Sequence, residues 1–491
     1  MERLELNIKD TEKTIVQRIF EHGSLIPEKT AIIVEDRITT YADLCRMISS
    51  YADILKDWGV KKGDRVIVQA VHDERCVAMY YAVHLLGAIL VPVEKNAPEY
   101  RVNEIGEDVE AVCSVSLKKY DRENAHEYDE LSVDFTYNYP KEFPSLDDPC
   151  EMVFTTGTTG KSKGVLLIHK NISWYAYTVA KAVEMKKDNR FFITTPLNHA
   201  GGMRRTHLSL ANGCCVVYLD GLINIKKYFE IIEKYEVTSL YLPPVAIRVL
   251  INTSKDQMNR YADRIDFVYS SSSSLPVGDC AALRKLLPDT RLYNAYEASE
   301  TPGVSVYDYN CDDFNNICMG KPNDGVEMKI LTDEGMISDS NVQGQICVKS
   351  PMNMLKYYGS EELTASVMKD GWFVSNDLGQ FNDKGEILYL GRKGDVINIA
   401  GYKIAPTDVE EKALLSDMLK ECICIEDINA KGFSSLKLLV VPKDKDTFNA
   451  KELISFMSNY LEPYKLPKSV DIIDEVNKTF NGKIDRKSYR K

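Results

Sequence analysis

The first half of the chain alternates between helical and strand patterns, and this alternation restricts the fold more than any other feature of the sequence. Residues 41–58 carry apolar side chains at helical spacing, and residues 64–70 have the pattern of a strand. A second pair follows, with a helical pattern at residues 74–86 and a strand at residues 88–93. Similar segments recur at residues 214–219, 228–235 and 239–242. Strands that alternate with helices are typical of largely parallel sheets, so the sequence predicts an α/β fold.

The pattern changes after Gly344 to strands and hairpins. Residues 345–348 form one predicted strand, and the strands at 379–381 and 387–390 flank a turn at residues 382–385. Beyond residue 395 we expect a compact α+β unit with helices near residues 407–415 and 450–461. A chain of 491 residues also exceeds the size at which one hydrophobic core keeps growing. We therefore predict a large N-terminal α/β domain of several sheets at residues 1–391, a boundary at 392–395 and a small C-terminal domain at 396–491.

Composition and charge exclude several functional classes. The net charge of −12 argues against nucleic acid as the main partner. The twelve cysteines include no Cys-x-x-Cys pair, so neither a zinc ribbon nor a thioredoxin motif is supported. We expect reduced cysteines in a protein core, with Cys422 and Cys424 on one face of a strand.

The termini and the most apolar stretch give no sign of a membrane protein. The N-terminus lacks the basic-then-apolar order of a signal peptide, and the stretch at residues 80–93 is interrupted by His84 and too short to span a bilayer. The sequence therefore predicts a soluble, cytoplasmic protein without a membrane span.

Residues 155–164 read Thr-Thr-Gly-Thr-Thr-Gly-Lys-Ser-Lys-Gly and lie between two short apolar runs. Glycines let the backbone approach a polyphosphate, hydroxyls and amides donate to its oxygens, and Lys163 adds a cation. The segment could instead be a polar turn between strands. A Walker-A loop does not fit, because Gly160-Lys161-Ser162 would require glycine at position 155, where threonine stands.

This loop resembles the phosphate loop of the adenylate-forming (AMP-binding) superfamily, which includes acyl-CoA synthetases, peptide-synthetase adenylation domains and luciferases. The chain is most similar to the acyl-CoA synthetases, or AMP-dependent CoA ligases. Five further segments resemble family motifs in the same order: Pro-Leu-Asn-His-Ala-Gly-Gly at 196–202, Asn-Ala-Tyr-Glu-Ala-Ser-Glu-Thr at 294–301, Gly-Trp-Phe-Val-Ser-Asn-Asp at 371–377, Gly391-Arg392, and Asn-Gly-Lys-Ile-Asp-Arg at 481–486.

The resemblance implies a ligase that uses ATP, Mg²⁺ and CoA as cofactors and cosubstrates. A small carboxylic acid would attack ATP to give an acyl-adenylate and pyrophosphate, and the acyl group would then pass to CoA. The residues at 392–395 would act as a hinge for a mobile C-terminal lid.

The resemblance also assigns roles to individual residues. The catalytic residues would be Lys483, Glu300 and Lys163, with Glu300 also holding the metal. Residues implied to bind ATP are Thr155, Thr156, Gly157, Thr158, Thr159, Gly160, Lys163, Ser272, Ser273, Asn294, Tyr296, Ser299, Asp377, Arg392 and Lys483. Residues implied to contact the acyl substrate are His199, Gly202 and Glu297. Gly401 and Lys403 are implied to contact the thiol.

The sequence departs from the family pattern at several places. Ser162 replaces a usual proline, Glu297 replaces a glycine, Asn376 interrupts the usual Thr-Gly-Asp, and Gly394 occupies the hinge. We favour an active enzyme with an unusual pocket. Alternatives are a stand-alone ligase that loads a separate acyl carrier protein and a nucleotide-binding homologue without catalysis. An α-amino acid substrate is disfavoured because His199-Ala200 lacks the aspartate of the amino-acid-activating relatives.

Arg204, Arg205 and His207 follow the acyl-pocket segment, where related ligases commonly have apolar residues. If one arginine points inward, an acid with a polar or anionic substituent would satisfy it. We therefore predict a short or aromatic acid with a polar group in preference to a long-chain fatty acid. The alternative is that both arginines face solvent or pair with surface acids.

Overall fold

The computed structural model describes residues 2–134, 139–155, 163–222, 224–254, 257–271, 275–311, 314–315, 317–395, 397–399, 402–428, 434–478 and 484–489. Its helices are α1 (Ile15–Leu25), α2 (Tyr41–Asp57), α3 (Glu74–Leu85), α4 (Glu99–Asp108), α5 (His169–Ala182), α6 (Ala200–Ala211), α7 (Ile225–Lys234), α8 (Pro244–Ser254), α9 (Val277–Leu286), α10 (Glu361–Val367), α11 (Pro406–Leu414) and α12 (Ala450–Met457).

The strands, numbered in chain order, are β1 (Thr30–Val34), β2 (Arg37–Thr40), β3 (Arg65–Gln69), β4 (Ile89–Val93), β5 (Cys113–Ser116), β6 (Ala125–Glu127), β7 (Pro149–Thr155), β8 (Lys163–Ile168), β9 (Arg190–Ile193), β10 (Cys215–Tyr218), β11 (Ser239–Tyr241), β12 (Phe267–Ser271), β13 (Arg291–Tyr296), β14 (Ser305–Asp308), β15 (Glu327–Thr332), β16 (Gly335–Ile337), β17 (Gly344–Lys349), β18 (Lys356–Tyr357), β19 (Met368–Lys369), β20 (Trp372–Phe381), β21 (Ile387–Arg392), β22 (Ile397–Ile399), β23 (Tyr402–Ile404), β24 (Leu419–Ile428), β25 (Ser434–Pro442) and β26 (Ser469–Ile472).

Two large sheets carry most of the N-terminal part. One has the strand order β14-β13-β12-β11-β9-β10-β1-β2 and the other the order β18-β8-β7-β4-β3-β5-β6. Their interior strands are parallel, and antiparallel pairs occur at the edges, where β2, β14, β8 and β18 join. The predicted α/β fold with largely parallel sheets is confirmed.

The main hydrophobic core lies between these sheets. Buried side chains of α1, α2 and α3 pack there together with apolar residues of β1, β3, β7 and β10. The opposite face of the first sheet is covered by α7, α8 and α9, and that of the second by α4. Since both faces of each sheet are covered, the interior strands are almost continuously apolar, as parallel strands usually are.

The remaining sheets are smaller. A sheet of order β16-β15-β17-β20-β19, with β21 paired to β20, is wholly antiparallel. The C-terminal residues form the pair β22-β23 and the sheet β24-β25-β26, which share a separate hydrophobic core with α11 and α12. The predicted combination of a large α/β unit and a small α+β unit is confirmed.

Most local predictions agree with the observed elements to within a few residues, but the strand predicted at 379–381 is the end of β20, which begins seven residues earlier at Trp372. Predicted helix 41–58 is α2, whose first turn is capped by Thr40 and Asp43 in a reciprocal capping box. Predicted helix 450–461 is shorter than expected and ends at Met457. Each of the twelve cysteines is free, and Cys422 and Cys424 are buried in β24 as expected.

No helix in the described part of the chain is long and apolar enough to cross a membrane.

Candidate active site

Strand pairing brings the phosphate-loop lysine next to the implied metal ligand. Lys163 begins β8, and β18 pairs with that strand so that Tyr357 lies opposite Val165. The ammonium of Lys163 lies 5.3 Å from the centre of the Tyr357 ring, and the Tyr357 hydroxyl donates to Oε1 of Glu300 at 2.7 Å. We call Lys163, Tyr357 and Glu300 the Glu300 cluster. The Glu300 carboxylate offers oxygen atoms, which are the ligands that Mg²⁺ prefers.

A second group forms where β13, β20 and β21 approach one another. The Tyr296 hydroxyl donates to Oδ2 of Asp377 at 2.8 Å, and Nε of Arg392 lies 3.4 Å from Oδ1 of the same carboxylate. Burial and the charge of Asp377 raise the pKa of Tyr296 well above its ordinary value, so the phenol stays protonated and can donate. We call Tyr296, Asp377 and Arg392 the Asp377 cluster. Three of the residues that the resemblance implies for ATP binding are therefore in contact with one another.

The segment between these clusters is fixed by hydrogen bonds from neighbouring elements. Arg204 in α6 is 2% exposed and donates to the carbonyl oxygens of Ala298 and Ser299 at 2.9 and 2.8 Å. Thr301 donates to Oδ1 of Asn353 at 2.8 Å. Residues 298–301 are thereby held against α6, so that Ser299 and Glu300 lie on an anchored loop.

Arg205 and Glu297 form a buried ion pair beside this segment. Arg205 is fully buried, the Glu297 side chain is 7% exposed, and the guanidinium donates to Oε1 of Glu297. It also donates to the Tyr175 hydroxyl at 2.6 Å and to Ser271 at 3.2 Å, and it lies 4.3 Å from the centre of the Tyr269 ring. The alternative in which both arginines face solvent or pair with surface acids is therefore wrong.

The pair is ionised in the folded protein. Burial tends to raise the pKa of Glu297, but the charges of Arg205 and Arg204 outweigh it and hold that pKa below its ordinary value. Burial opposes the charge on Arg205, yet Glu297 and the surrounding tyrosines keep its pKa well above the usual range. A buried pair of this kind is costly to disrupt on one side only, because the remaining charge loses its partner.

The acyl-pocket segment leads into the same helix. His199 precedes the first turn of α6, and Gly202 lies inside that turn. A Cβ atom on Gly202 would lie 2.5 Å from the carbonyl oxygen of Pro196, so only glycine allows this close approach. Both residues that were predicted from the acyl-pocket motif therefore position the start of α6 beside residues 195–196.

The predicted ATP-binding residue Asn294 is buried. Its side chain is 1% exposed, and its amide contacts the Met319 sulfur at 3.5 Å. Thr155 is half-buried at the end of β7, opposite Lys163.

Several predicted site residues lie outside the described residues: Thr156, Gly157, Thr158, Thr159, Gly160, Ser272, Ser273, Gly401 and Lys483. The backbone of Lys403 lies in β23, opposite Asn398. The chain just beyond Lys483 is anchored, because Arg486 donates to Oε1 of Glu410 in α11 at 2.7 Å and Ile484 bridges to Lys478.

Sequence analysis did not identify the tyrosines that surround these groups. Tyr357 reaches Glu300 across 57 residues of sequence, and Tyr175 reaches Arg205 across 30. Arg205 stands where related ligases commonly have an apolar residue, and Glu297 stands where they have glycine. The presence of both was the one signal in the sequence that could have suggested a contact between them.

Comparison with known proteins identifies the family. Residues 20–358 match the model of the AMP-binding enzyme family, and residues 408–483 match that of the AMP-binding enzyme C-terminal domain. The first match alone spans more than half of the chain. The protein therefore belongs to the AMP-binding enzyme family, which confirms the predicted resemblance.

Relatives extend over nearly the whole chain. Indoleacetate–CoA ligase from Aromatoleum aromaticum is 27% identical over 503 residues, covering 96% of each chain. Feruloyl-CoA synthase from an Amycolatopsis species is 27% identical over 480 residues, covering 95% of this chain and 96% of the relative. The fold is similar to that of o-succinylbenzoate CoA synthetase from Bacillus subtilis, solved with its acyl-adenylate intermediate, with a TM-score of 0.85, 22% identity and coverage of 97% and 98%.

The Arg205–Glu297 pair generates a prediction on stability. Arg205→Met or Glu297→Leu alone should lower the free energy of unfolding by about 3–5 kcal/mol, because each leaves a buried charge unpaired. The free energy of unfolding of the double variant should lie closer to that of the wild type, since neither charge remains in the core. Urea unfolding followed by circular dichroism measures the three variants. Arg3→Ala, which breaks an exposed ion pair with Glu184, is the control and should cost no more than about 1 kcal/mol. Additive losses in the double variant would contradict a coupled buried pair.

Proposed function

We propose that this protein is an AMP-forming acid–thiol ligase that activates a carboxylic acid with ATP and transfers the acyl group to CoA. The observation that carries the proposal is that Tyr296 of the Asp377 cluster and Glu300 of the Glu300 cluster lie four residues apart, in a chain matching both domains of its family. The three relatives described above are all named as CoA ligases or synthetases, which supports the same reaction for this chain.

In the first half-reaction a carboxylate oxygen attacks the α-phosphorus of ATP. The bond between the α-phosphorus and the bridging oxygen breaks, and pyrophosphate leaves with its electron pair. Two anions must approach in line, so positioning and neutralisation account for most of the rate. We assign Lys163 and the glycine- and hydroxyl-rich loop to the phosphates, and Lys483 to the oxygens of the carboxylate and the α-phosphate. Asp377 would accept from the ribose hydroxyls, with Arg392 keeping its carboxylate oriented.

Glu300 fits a magnesium ligand because its carboxylate accepts one hydrogen bond at Oε1 and leaves further lone pairs for a hard cation. Bound Mg²⁺ would neutralise phosphate charge during activation. Tyr357 then has the separate task of fixing the orientation of the carboxylate through its hydroxyl.

In the second half-reaction the thiol sulfur attacks the acyl carbonyl carbon and the bond to AMP breaks, while the thiol proton leaves to solvent. We propose that residues 396–491 act as a lid that turns about the hinge at 392–395 between the two steps. Lys483 would serve the first step, and the segment with Gly401 and Lys403 would contact the thiol in the second. Transfer to a separate carrier protein is the alternative acceptor. The free cysteines fit a reducing, cytoplasmic setting.

The nature of the acid follows from the surroundings of the buried ion pair. Arg205 already has Glu297 as its counterion, so the pocket does not need an anionic substituent on the substrate. Oε2 of Glu297 is buried and lacks a well-formed hydrogen bond among the described residues, so a donor group that reached it would satisfy it. Tyr175 and Tyr241 pack against Arg205, so this side of α6 carries aromatic and polar groups and not an alkyl-lined surface. We propose a short or aromatic acid with a hydrogen-bond donor, and two relatives are named for aromatic acids.

Lys483→Ala tests the reaction and its division into two steps. The wild-type protein should exchange pyrophosphate into ATP only when a suitable acid is present, and should form AMP and a thioester when CoA is added. The variant should lose exchange by about 100-fold or more, because the cation that joins the two anions is missing. Thioester formation from a pre-made acyl-adenylate should change much less. Equal losses in both assays, or release of ADP by the wild type, would refute the assignment.

Gly394→Pro tests the hinge. Proline fixes φ and removes a donor, so the turn between the two steps should be restricted. The rate of thioester formation should fall about tenfold more than the rate of pyrophosphate exchange does. Gly394→Ala leaves φ free and serves as the control. If both substitutions leave turnover unchanged, the hinge lies at another position.

A panel of matched acids tests the specificity. Hydroxylated phenylacetic or cinnamic acids should give higher kcat/KM in pyrophosphate exchange than the same acids with hydrogen or methoxy at that position. The double variant Arg205→Met/Glu297→Leu should lose this preference by about tenfold, because the acceptor for the donor group is gone, while activity with the unsubstituted acid persists. A wild-type enzyme that prefers palmitate to every aromatic acid would disprove the assignment.

A further inference from the structure

A second group of buried titratable side chains lies away from the candidate active site. His84 in α3, Cys150 and Glu151 in β7, His169 at the start of α5 and His207 in α6 are all completely buried. We call these five residues the buried histidine cluster. None of them has a role in the proposed reaction, and five such groups in a dry core require a physical explanation.

Local backbone geometry brings ligand atoms together. Successive residues of a regular strand point to opposite faces, but the pairing of β7 with β8 shifts register between Pro149 and Glu151. This irregularity is where Cys150 and Glu151 both reach the same space. One ligand atom each from His84, Cys150 and Glu151 lies within 4.8 Å of the other two. Tetrahedral donors at about 2.0–2.3 Å from a metal lie about 3.3–3.8 Å apart, so metal binding would draw these atoms together by up to about 1–1.5 Å.

Several of these atoms lack other partners, although the Cys150 thiol donates to the Leu167 carbonyl oxygen at 3.5 Å. Both ring nitrogens of His84, both of His169 and Oε1 of Glu151 have no hydrogen bond among the described residues, although the Cys150 backbone comes close to the His84 ring. A buried polar atom without a partner costs about 1–3 kcal/mol. The rest of the cluster is satisfied, since His207 contacts Oε2 of Glu151 at 3.0 Å and the Tyr81 hydroxyl at 2.8 Å.

We propose that His84, Cys150 and Glu151 bind a structural zinc ion, with His169 as the fourth ligand. His169 is not among the atoms that lie within 4.8 Å of one another, but its ring centre lies 5.2 Å from that of His84. Its nitrogens have no hydrogen bond to the described residues, so a shift of the ring would complete the set. Thiolate, imidazole and carboxylate are the donors that Zn²⁺ takes in tetrahedral structural sites. Two anionic and two neutral ligands balance the charge of the ion, so the complex itself is neutral. Binding releases the Cys150 proton, and His207 orients Glu151 from outside the ligand set.

The intact protein tests this proposal after expression in medium supplemented with zinc or cobalt. Wild type that has been dialysed against EDTA should retain about one zinc ion per chain by elemental analysis. The cobalt form should show thiolate-to-metal charge-transfer absorption. Cys150→Ser should abolish that absorption and lower the metal content by about tenfold. Cys113→Ser removes another buried cysteine, in β5, and should match the wild type.

Glu300→Gln separates this site from the active site, because it should keep the zinc if the ion is bound by the buried histidine cluster. Wild-type protein without a transition metal would overturn the proposal, and this measurement does not depend on whether Cys150→Ser folds. Equal metal content in Cys150→Ser and Cys113→Ser, or loss of zinc in Glu300→Gln, would overturn it as well.

Discussion

Helix α6 is buried on every side, and this constraint organises the site. Each of its residues from Gly202 to Ala211 is buried, although three of them are arginine or histidine. A helix turns about 100° per residue, so neighbouring side chains point in different directions. Arg204 therefore meets the loop at residues 298–299, Arg205 meets Glu297, and His207 meets Glu151 in the other large sheet. Because a charge in a core needs a partner, these contacts fix both the helix and the loop that carries Glu300.

This arrangement explains one of the departures from the family pattern, the glutamate at position 297. A glutamate at position 297 would be an uncompensated buried charge without Arg205, and Arg205 would be equally costly without Glu297. Each of the two residues is thus compatible with the core only in the presence of the other, although they are 92 positions apart in the sequence. Residues implied in nucleotide binding, such as Lys163, Glu300 and Asp377, do not take part in this pairing. The chain keeps these three residues, although Ser162 and Asn376 depart from the family pattern in the neighbouring nucleotide-binding segments.

The sequence predicted most of the fold because local patterns determine most of its elements. Helix α2 has apolar residues at helical spacing and a capping threonine, and the turn between β20 and β21 has its own Asn-Asp-Lys-Gly signal. The end of α12 was missed because residues 458–461 continue the helical pattern, although they only form turns. The partners of buried charges could not be predicted, since Glu151 and His207 are separated by 56 residues and meet only after two elements pack together.

Some parts of the site can be recognised from sequence motifs, whereas others form only when distant elements pack together. A motif specifies residues close in sequence, so Tyr296, Ser299 and Glu300 could be recognised together. Tyr357 belongs to no such motif, and it reaches Glu300 because β18 pairs with the strand that Lys163 begins. Its hydroxyl is held protonated, since burial and the nearby Glu300 carboxylate raise its pKa well above the ordinary value. A neutral donor leaves the negative charge of Glu300 available to a cation, whereas a basic residue in that place would compete with the cation for the carboxylate.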